Sequence, residues 1–281
     1  MSSELYLNKP GLKVFCTGND AIARGAIEAN VNVVTGYPGT PSTEIIETLS
    51  RLSDKIDMYV EWSVNEKVAF EVAMGASIMG LRAMTVTKHV GMNVLADTFM
   101  TACLSGVNGG FVIVSVDDPG AHASSNEQDT RIYGDYAEIL VMEPSNVQEA
   151  KDMIVEAYEI SEKTKIPVLF RSVYRLSRGL GILQLGEIKK REKEIKYVKD
   201  TDRFWVSGAE KRSLRRHIWM KERQKELINI SNQSRFNWIE GNGENVIITS
   251  GIAYEYVKEA IRRLKVNNIS IMKIGIPRPI P

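Results

Sequence analysis

The segment 35-TGYPGTPSTEI-45 combines glycines, prolines and hydroxyl side chains directly before an apolar periodic run. Glycines that let the backbone approach closely, followed by the free N–H groups of a helix N-terminus, can hold an anion or a cofactor. The segment lacks the lysine of a GxxxxGK[ST] phosphate loop and the spacing of GxGxxG. From these residues alone it is either a ligand loop or a plain strand-to-helix connector, with Thr40 capping a helix that starts at Pro41.

Glu66 offers a different chemistry, because a carboxylate in a dry cleft can exchange protons near neutral pH. It lies in 61-EWSVNEKVAFE-71, where a predicted strand gives way to a helix that Asn65 can cap. The ordinary role of an acid at this place is to stabilise the helix dipole, by about 0.3–1 kcal/mol. The local sequence by itself favours that ordinary role, and proton exchange requires a cleft around the side chain.

Two further polar segments follow predicted strands. TKHVGMN at 87–93 places Lys88 and His89 at a strand end, where His89 is either a core histidine bonded to a carbonyl or a donor in a pocket. DDPGAHASSNEQDTR at 117–131 is a long polar loop that contains His122, and long loops of this kind are often functional. Its spacing of Asp, His and Glu matches no metal template, so a metal site is disfavoured.

The elements that must position these segments repeat between residues 12 and 175, where short β-branched runs alternate with longer helical segments. The predicted strands are at 12–18, 31–36, 58–64, 82–87, 111–118, 139–144 and 167–172, and the predicted helices are at 19–29, 41–52, 65–80, 91–106 and 146–164. Continuous apolar strands indicate burial on both faces, so the pattern predicts a doubly wound α/β domain with a parallel sheet. Ligands of such sheets bind beyond the carboxyl ends of the strands, where these polar segments lie.

The composition is typical of soluble globular proteins. The chain has 281 residues, 43% of them hydrophobic and 25% charged, and its net charge of +1 gives no bias toward nucleic acid or anionic membranes. A polar N-terminus and the lack of any run of about 18 apolar residues predict neither a signal peptide nor a membrane span. Cys16 and Cys103 form no C-x-x-C pair and are expected to be buried apolar residues. A cytoplasmic location is expected.

Residues 186–243 are charged and helix-prone, with stretches such as KKREKEIK and EKRSLRRHIWMKERQKEL. Because basic side chains alternate with acidic ones, a solvated helical connector is favoured over a nucleic-acid patch. At 244–281 the strand–helix pattern returns, but two strands and one helix cannot bury a core alone. This last segment is therefore expected either to dock on the first domain or to begin a further domain of a longer chain.

Taken together, five segments resemble one family: GYPGTPSTEI, YVEWSVNEKVAFEVAMGAS, TKHVGMNVLAD, VDDPGAHASSNEQDTR and VIITSGIAYEYVKEA. The sequence resembles the N-terminal part of the alpha subunits of indolepyruvate:ferredoxin oxidoreductases, thiamine diphosphate enzymes of the 2-oxoacid:ferredoxin oxidoreductase superfamily. YPGTPS is similar to the YPITPSS segment of that superfamily. The resemblance implies a pyrimidine-binding domain at 10–185, a charged helical connector at 186–243, and the truncated beginning of a second, transketolase C-terminal-like α/β domain at 244–281.

The resemblance also implies a site. Glu66 is the expected catalytic residue, because it matches the glutamate that hydrogen-bonds N1′ of the thiamine aminopyrimidine and favours the imino form that removes the C2 proton. The other expected cofactor-binding residues are Tyr37, Pro38 and Gly39. The expected substrate-binding residues are Thr40, Pro41, Lys88, His89, Asn93 and Arg131, of which Arg131 suits a carboxylate because its guanidinium is bidentate.

The implied activity is oxidative decarboxylation of a 2-oxoacid, especially indolepyruvate or another arylpyruvate, to an acyl-CoA, with electrons passed to ferredoxin. The family's GDG…N signature for Mg²⁺ and the diphosphate is absent, since 134-GDYAE-138 lacks the second glycine, and so are its iron–sulfur cysteine runs. Thiamine diphosphate with Mg²⁺ is therefore expected to be shared with a diphosphate-binding domain outside this chain.

The expected partners are the remaining alpha-subunit domains or a split partner subunit, a beta subunit and ferredoxin, besides the 2-oxoacid and coenzyme A. Iron–sulfur clusters are expected in the missing portion or in a partner. The competing hypothesis is a non-catalytic regulatory or scaffold subunit, in which Glu66 only stabilises the helix dipole. A nucleotide-binding module is disfavoured because the phosphate-loop lysine is missing.

Overall fold

Alternating strands and helices make up most of the chain that the computed structural model describes, which is residues 4–191, 195–197, 200, 203 and 209–281. The elements begin with β1 Lys13–Thr17, α1 Gly18–Glu28, β2 Val33–Gly36, α2 Thr43–Leu52, a 3-10 helix Ser53–Lys55, β3 Tyr59–Trp62, α3 Glu66–Ile78, β4 Ala83–Lys88, α4 His89–Ser105 and β5 Phe111–Asp117. They continue with α5 Arg131–Ala137, β6 Val141–Met142, α6 Val147–Thr164, β7 Val168–Val173, α7 Tyr174–Ser177, β8 Leu180–Gln184, α8 Ala209–Gln233, β9 Trp238–Glu240, β10 Asn245–Ser250, α9 Ala253–Leu264 and β11 Ile269–Ile274.

Strands β2 to β7 form one six-stranded sheet in the order β3-β2-β4-β5-β7-β6, and every pair in it is parallel. The apolar runs that predicted double burial occupy its centre, since every residue of β5 and β7 is buried. The predicted α/β class with a parallel sheet is confirmed. The core lies between this sheet and the helices on its two faces.

The helices form two groups that cover the two faces of the sheet. In one group α1 packs against both α2 and α6, and in the other α4 packs against both α3 and α5. The chain leaves β2 through α2 but leaves the neighbouring strand β4 through α4, so it turns toward opposite faces at these two strands. In open α/β sheets a ligand crevice lies at such a point, beyond the carboxyl ends of the strands.

The structure confirms the predicted N-terminus of α3 but not the predicted N-terminus of α2. The predicted cap at Asn65 is confirmed, because its side-chain oxygen accepts a hydrogen bond from the Val68 N–H at 2.9 Å. The predicted cap at Thr40 is wrong, since α2 begins at Thr43. The reason is local: the Ser42 hydroxyl donates to the Gly39 carbonyl at 2.7 Å, so these residues form a turn rather than the first turn of the helix.

β1 lies outside the parallel sheet. It pairs antiparallel with β8 in a two-stranded ribbon, with Val14 opposite Leu183. The prediction of a strand here is confirmed. The prediction that this strand belongs to the parallel sheet is wrong. The physical reason is visible in the burial of β1, which alternates between the exposed Phe15 and the buried Val14 and Cys16, as expected for a ribbon covered on one face.

The last part of the chain docks on the sheet domain. β10, β11 and β9 form a three-stranded sheet in that order, with α9 packed against β10. The ammonium of Lys273, in β11, is fully buried and lies 2.9 Å from the Glu149 carboxylate of α6. The Glu143 N–H also donates to the Gly275 carbonyl at 2.8 Å. This docking supplies the burial that two strands and one helix cannot supply alone.

The predicted connector is partly helical where it is described. α8 lies within residues 186–243 and packs on α4, and β9 follows it and joins the three-stranded sheet. Residues 192–194, inside the stretch KKREKEIK, lie outside the described residues, as do most of 198–208. The proposed domain boundaries stay a prediction. Across the described ranges, no helix combines the length and the apolar character needed to cross a membrane.

Candidate functional site

The crevice between the carboxyl ends of β2 and β4 is bordered by residues 37–42 on one side and by Lys88 on the other. The turn at 37–42 is held together by its own hydrogen bonds, because the Gly39 N–H donates to the Thr43 hydroxyl at 2.8 Å. Gly39 lies against Lys88, since a Cβ built on Gly39 would stand 2.8 Å from Cδ of that lysine. The lack of a side chain at Gly39 therefore allows the turn to approach the start of α4 closely.

Residues 37–41 differ in what they offer to a ligand. Tyr37 and Pro38 are exposed, Gly39 and Thr40 are half-buried, and Pro41 is buried. The Pro41 carbonyl is fixed from below by the Asn19 side-chain amide at 2.8 Å. Asn19, at the start of α1, is a residue that sequence reasoning missed.

Glu66 is the first residue of α3, and its carboxylate lies against the first turn of α4. A Cβ built on Gly91 would stand 2.7 Å from Oε1 of Glu66 and 2.1 Å from the Thr87 hydroxyl, so only a glycine leaves room for this carboxylate. The side chain is half-buried, and no hydrogen-bond or ion-pair partner for it is found within the described part of the chain. Glu66 thus lies beside the N-termini of two helices, at the sheet edge where residues 37–42 emerge.

Lys88 and His89 are held by the loop at 118–130. The Lys88 ammonium donates to the Ala123 carbonyl at 3.1 Å. The His89 ring is fully buried, and its Nε2 donates to the Asn126 carbonyl at 3.0 Å, while Nδ1 meets no hydrogen-bond partner among the residues that the structure describes. Of the two interpretations of His89, the structure favours the core histidine bonded to a carbonyl.

The loop at 118–130 is itself organised by Asp118, the residue after β5. Its fully buried carboxylate accepts hydrogen bonds from the Ala123 N–H at 2.7 Å and from the Ser124 hydroxyl at 2.9 Å. Burial opposes its ionisation, but these bonds and those from His122 outweigh burial and lower the pKa of Asp118. An ionised carboxylate therefore forms the centre of this loop.

A buried ion network closes the other end of the loop. Asp117 accepts from the Thr130 N–H at 3.0 Å and pairs with Arg171 at 2.8 Å, and Arg171 also pairs with Glu143. Burial raises the pKa of Asp117, although Arg171 and Thr130 partly offset it. The network connects the ends of β5, β6 and β7 and so fixes the edge of the sheet on which the loop rests.

Arg131 and Asn93 are not brought to the crevice by any contact that the structure shows. The Arg131 guanidinium pairs with Asp129 at 2.5 Å and also lies 3.4 Å from Glu143, which follows the edge strand β6. The sheet order puts β6 at the opposite edge from β3, the strand that leads to Glu66. Asn93 is exposed on α4, and its side-chain oxygen accepts from the Tyr133 hydroxyl at 2.6 Å. Neither predicted substrate contact gains support from these geometries.

The residues that sequence reasoning missed carry recognisable signals. The acidic doublet Asp117–Asp118 follows a wholly buried strand, where charged side chains must be paired or solvated. Gly91 stands in the first turn of α4, where a glycine has a lower helix propensity than almost any alternative and thus indicates close packing. Both positions lie at the carboxyl edge of the sheet, so a search confined to that edge would have found them.

In the described part of the structure, neither a cavity nor a group of metal-binding side chains gives a further candidate at the crevice. A cavity of about 490 Å³ lies near the amino ends of β2 and β3, away from the crevice at their carboxyl ends. The residues that line it include Tyr6, Asn30, Val31, Lys55, Asp57 and Met58. No group of three or more His, Cys, Asp or Glu side chains suited to a metal ion is present among the residues described.

Comparison with known proteins identifies the family of this chain. Residues 24–211 match the family described as pyruvate flavodoxin/ferredoxin oxidoreductase, thiamine diphosphate-binding. An indolepyruvate oxidoreductase subunit IorA from Pyrococcus abyssi is 47% identical over 98% of this chain and 43% of its own length. A 2-oxoglutarate synthase subunit KorA from Methanocaldococcus jannaschii is 34% identical over 55% of this chain and 44% of its own length. The chain thus spans less than half the length of these relatives.

Solved structures with the same fold show low sequence identity. A 2-oxoglutarate:ferredoxin oxidoreductase from Magnetococcus marinus, solved with 2-oxoglutarate, coenzyme A and succinyl-CoA bound, matches with a TM-score of 0.78 at 17% identity. The match covers 96% of this chain and 55% of that one. At this identity the likeness establishes the fold and no more.

Proposed function

The chain belongs to the pyruvate flavodoxin/ferredoxin oxidoreductase family through its thiamine diphosphate-binding domain, and from this premise we propose that it forms the pyrimidine-binding part of a 2-oxoacid:ferredoxin oxidoreductase. The proposed reaction is oxidative decarboxylation of indolepyruvate or another arylpyruvate to an acyl-CoA. The relatives named indolepyruvate oxidoreductase support this substrate class, since four of them are 44–47% identical to nearly the whole chain. The observation that carries the proposal is the unpartnered Glu66 carboxylate at the mouth of the crevice.

Thiamine diphosphate, when bound, supplies the chemistry that stabilises negative charge on the substrate carbon and takes up its electrons. The residues of this chain fit the aminopyrimidine end of that cofactor. Glu66 presents a half-buried carboxylate with a free acceptor side, and Gly91 leaves beside it a space that any Cβ would fill. The role of Glu66 is to share a proton with a ring nitrogen of the aminopyrimidine, as a carboxyl group within hydrogen-bond reach does.

The turn at 37–42 and Lys88 are proposed to form the substrate side of the crevice. Tyr37 and Pro38 are exposed at the top of the turn, where an aromatic cofactor ring can pack on them. Thr40 offers a hydroxyl, and Pro41 is fixed in place through its carbonyl. The Lys88 ammonium supplies a positive charge for a 2-oxoacid carboxylate, provided that it exchanges the Ala123 carbonyl for the substrate.

The rest of the machinery is proposed to come from outside these residues. Mg²⁺ and the cofactor's diphosphate would be held by a diphosphate-binding domain, and iron–sulfur clusters by further alpha-subunit domains or a split partner subunit. A beta subunit, ferredoxin and coenzyme A complete the proposed set of partners, and the assembly would act in the cytoplasm. The length of the relatives is consistent with this division, because the chain spans 43–46% of the indolepyruvate oxidoreductase subunits.

The test is Glu66→Gln in the assembled enzyme, with Glu71→Gln as the matched control on the exposed face of the same helix. Loss of proton exchange at one carboxylate lowers a rate by about 100-fold or more. We expect that loss for indolepyruvate turnover, together with weaker thiamine diphosphate binding by calorimetry, and no change for the control. Near-normal turnover of the Glu66 variant would leave this residue as a helix-dipole residue and end the assignment.

A further inference from the structure

His122 forms a pair with a buried carboxylate in the loop above the sheet edge. Its Nδ1 lies 3.2 Å from Oδ1 of Asp118. Its ring stacks on the Tyr174 ring, with centroids 4.9 Å apart and an interplanar angle of 12°. Two independent contacts therefore fix the imidazole, one at a ring atom and one across its face.

The pair determines which ring nitrogen is open. Asp118 is fully buried and accepts hydrogen bonds from the backbone and from Ser124, so it acts as an acceptor for Nδ1–H as well. A neutral imidazole that donates through Nδ1 carries its lone pair on Nε2. The side chain of His122 is 40% exposed, and no hydrogen-bond partner of its Nε2 is found in the described ranges. Nε2 is thus free to exchange a proton with a ligand.

The surrounding contacts place this ring beside the crevice. The carbonyl of Ala123, the next residue, accepts from Lys88, whose side chain borders Gly39. On the other side, the Arg178 guanidinium lies 5.6 Å from the Tyr174 ring centroid and pairs with Glu44 of α2. His122 is thus linked through Ala123 to Lys88, which borders the turn at 37–42, and through Tyr174 and Arg178 to α2.

We propose that His122 is an acid–base residue of the crevice, which exchanges the proton on Nε2 with the oxygen of the substrate's 2-oxo group. This inference rests on the proposed function. A ring protonated at both nitrogens would pass its Nε2 proton to the carbonyl oxygen as the π electron pair of the C=O bond moves onto that oxygen, and thiamine diphosphate would supply the nucleophile for the carbonyl carbon. The ring is left neutral, with Nδ1–H still on Asp118. In the reverse direction Nε2 takes the proton back as the C=O bond re-forms.

The other histidines of the chain do not offer this chemistry. The sequence contains three, of which His89 is fully buried on a backbone carbonyl. His217 lies on α8, among residues of α4 and α5 at the side of the domain. A general acid must reach its proton acceptor directly or through one water, and His122 has the exposure and the orientation for that.

The first test is the tautomer of His122, read by ¹⁵N NMR of the chain labelled at its three histidines. His122→Gln removes one set of ring signals and so assigns them. We expect the neutral ring to carry its proton on Nδ1, with Nε2 unprotonated. A neutral ring that carries its proton on Nε2 would overturn the proposal, because such a nitrogen has no lone pair with which to take up a proton.

The second test is kinetic, in the assembled enzyme with indolepyruvate. Loss of a general acid lowers kcat by about 100-fold or more, so we expect that for His122→Gln, with thiamine diphosphate affinity unchanged and His217→Gln as an unaffected control. A variant with kcat within about twofold of the unsubstituted enzyme, or with only KM raised, refutes the role of His122 and leaves the proposed function intact. A wild-type assembly that binds the cofactor but turns over no 2-oxoacid refutes the proposed function instead.

Discussion

Gly91→Ala is the substitution that most directly probes how the sheet edge holds Glu66. The added Cβ would stand 2.7 Å from Oε1 of Glu66 and 2.1 Å from the Thr87 hydroxyl, whereas ordinary contacts lie at 3.4–4 Å. The Glu66 carboxylate must therefore retreat by about 0.7 Å or more. Three atoms must move, which are the Thr87 hydroxyl oxygen and both Cγ and Oε1 of Glu66, and the backbone of α4 can stay in place because all three belong to side chains.

The expected effects on stability and on activity differ in size. Replacing glycine by alanine in a helix stabilises it by about 0.5–1 kcal/mol, while overpacking costs about 1–3 kcal/mol. The two oppose each other, so the free energy of unfolding should fall by no more than about 2.5 kcal/mol. A displacement of about 1 Å at a catalytic group lowers a rate by about 100-fold. Turnover should therefore fall much more than stability.

Gly75→Ala on α3 is the matched control, because a Cβ added there meets no atom of the described residues within 4 Å. It should stabilise the protein by about 0.5–1 kcal/mol and leave activity unchanged. The measurements are urea unfolding of each variant, thiamine diphosphate affinity by calorimetry, and indolepyruvate turnover in the assembled enzyme. Affinity and turnover of Gly91→Ala that both stay within about twofold of the unsubstituted enzyme would refute the claim that close packing against Gly91 positions the Glu66 carboxylate for its role.

Three further predictions concern stability and are measured by urea unfolding. Asn65→Ala removes the α3 cap and should cost about 1 kcal/mol, and an unchanged midpoint would show that the cap contributes nothing. Arg171→Met leaves the buried Asp117 without its cation and leaves Glu143 with only Arg131 nearby, and should cost about 3–5 kcal/mol; a smaller loss would mean that water enters the network. Burial opposes ionisation of Glu162, but hydrogen bonds from two arginines outweigh it and lower its pKa from 4.5 to about 2. Its contribution, about 1–3 kcal/mol, is therefore present above pH 4.5 and is lost as pH falls toward 2, and Glu162→Gln should flatten that part of the profile.

The sequence predicted the sheet domain because its signals are local. Strands buried on both faces must be continuous apolar runs, and β5 and β7 are such runs with every residue buried. The cap at Asn65 is equally local, since its bond reaches a backbone group three residues away. The carboxyl edge of the sheet follows from these elements, which is why Glu66 and the turn at 37–42 could be assigned to one edge before any coordinates were known.

The place of β1 and the partners of Arg131 were decided by tertiary structure. The local sequence of β1 predicts a strand. Its partner β8 lies more than 160 residues further along the chain, and no residue near β1 indicates that β8 is the partner. The Arg131 fork suits a substrate carboxylate in principle, yet the fold supplies Asp129 and Glu143 at hydrogen-bonding distance. Asp129 is only two residues from Arg131 in the chain, whereas the contact with Glu143 depends on how β6 packs in the sheet.

The sequence by itself determined the class of fold, the sheet edge at which we propose that a ligand binds, and the chemical character of Glu66, because periodicity and residue type act within a few positions. The tertiary structure decided that His89 is enclosed, that His122 is oriented by Asp118, and that Gly91 makes room for Glu66. These are contacts between side chains on different strands and loops. Their energies depend on distances of a few ångströms that close packing sets and that no local pattern encodes.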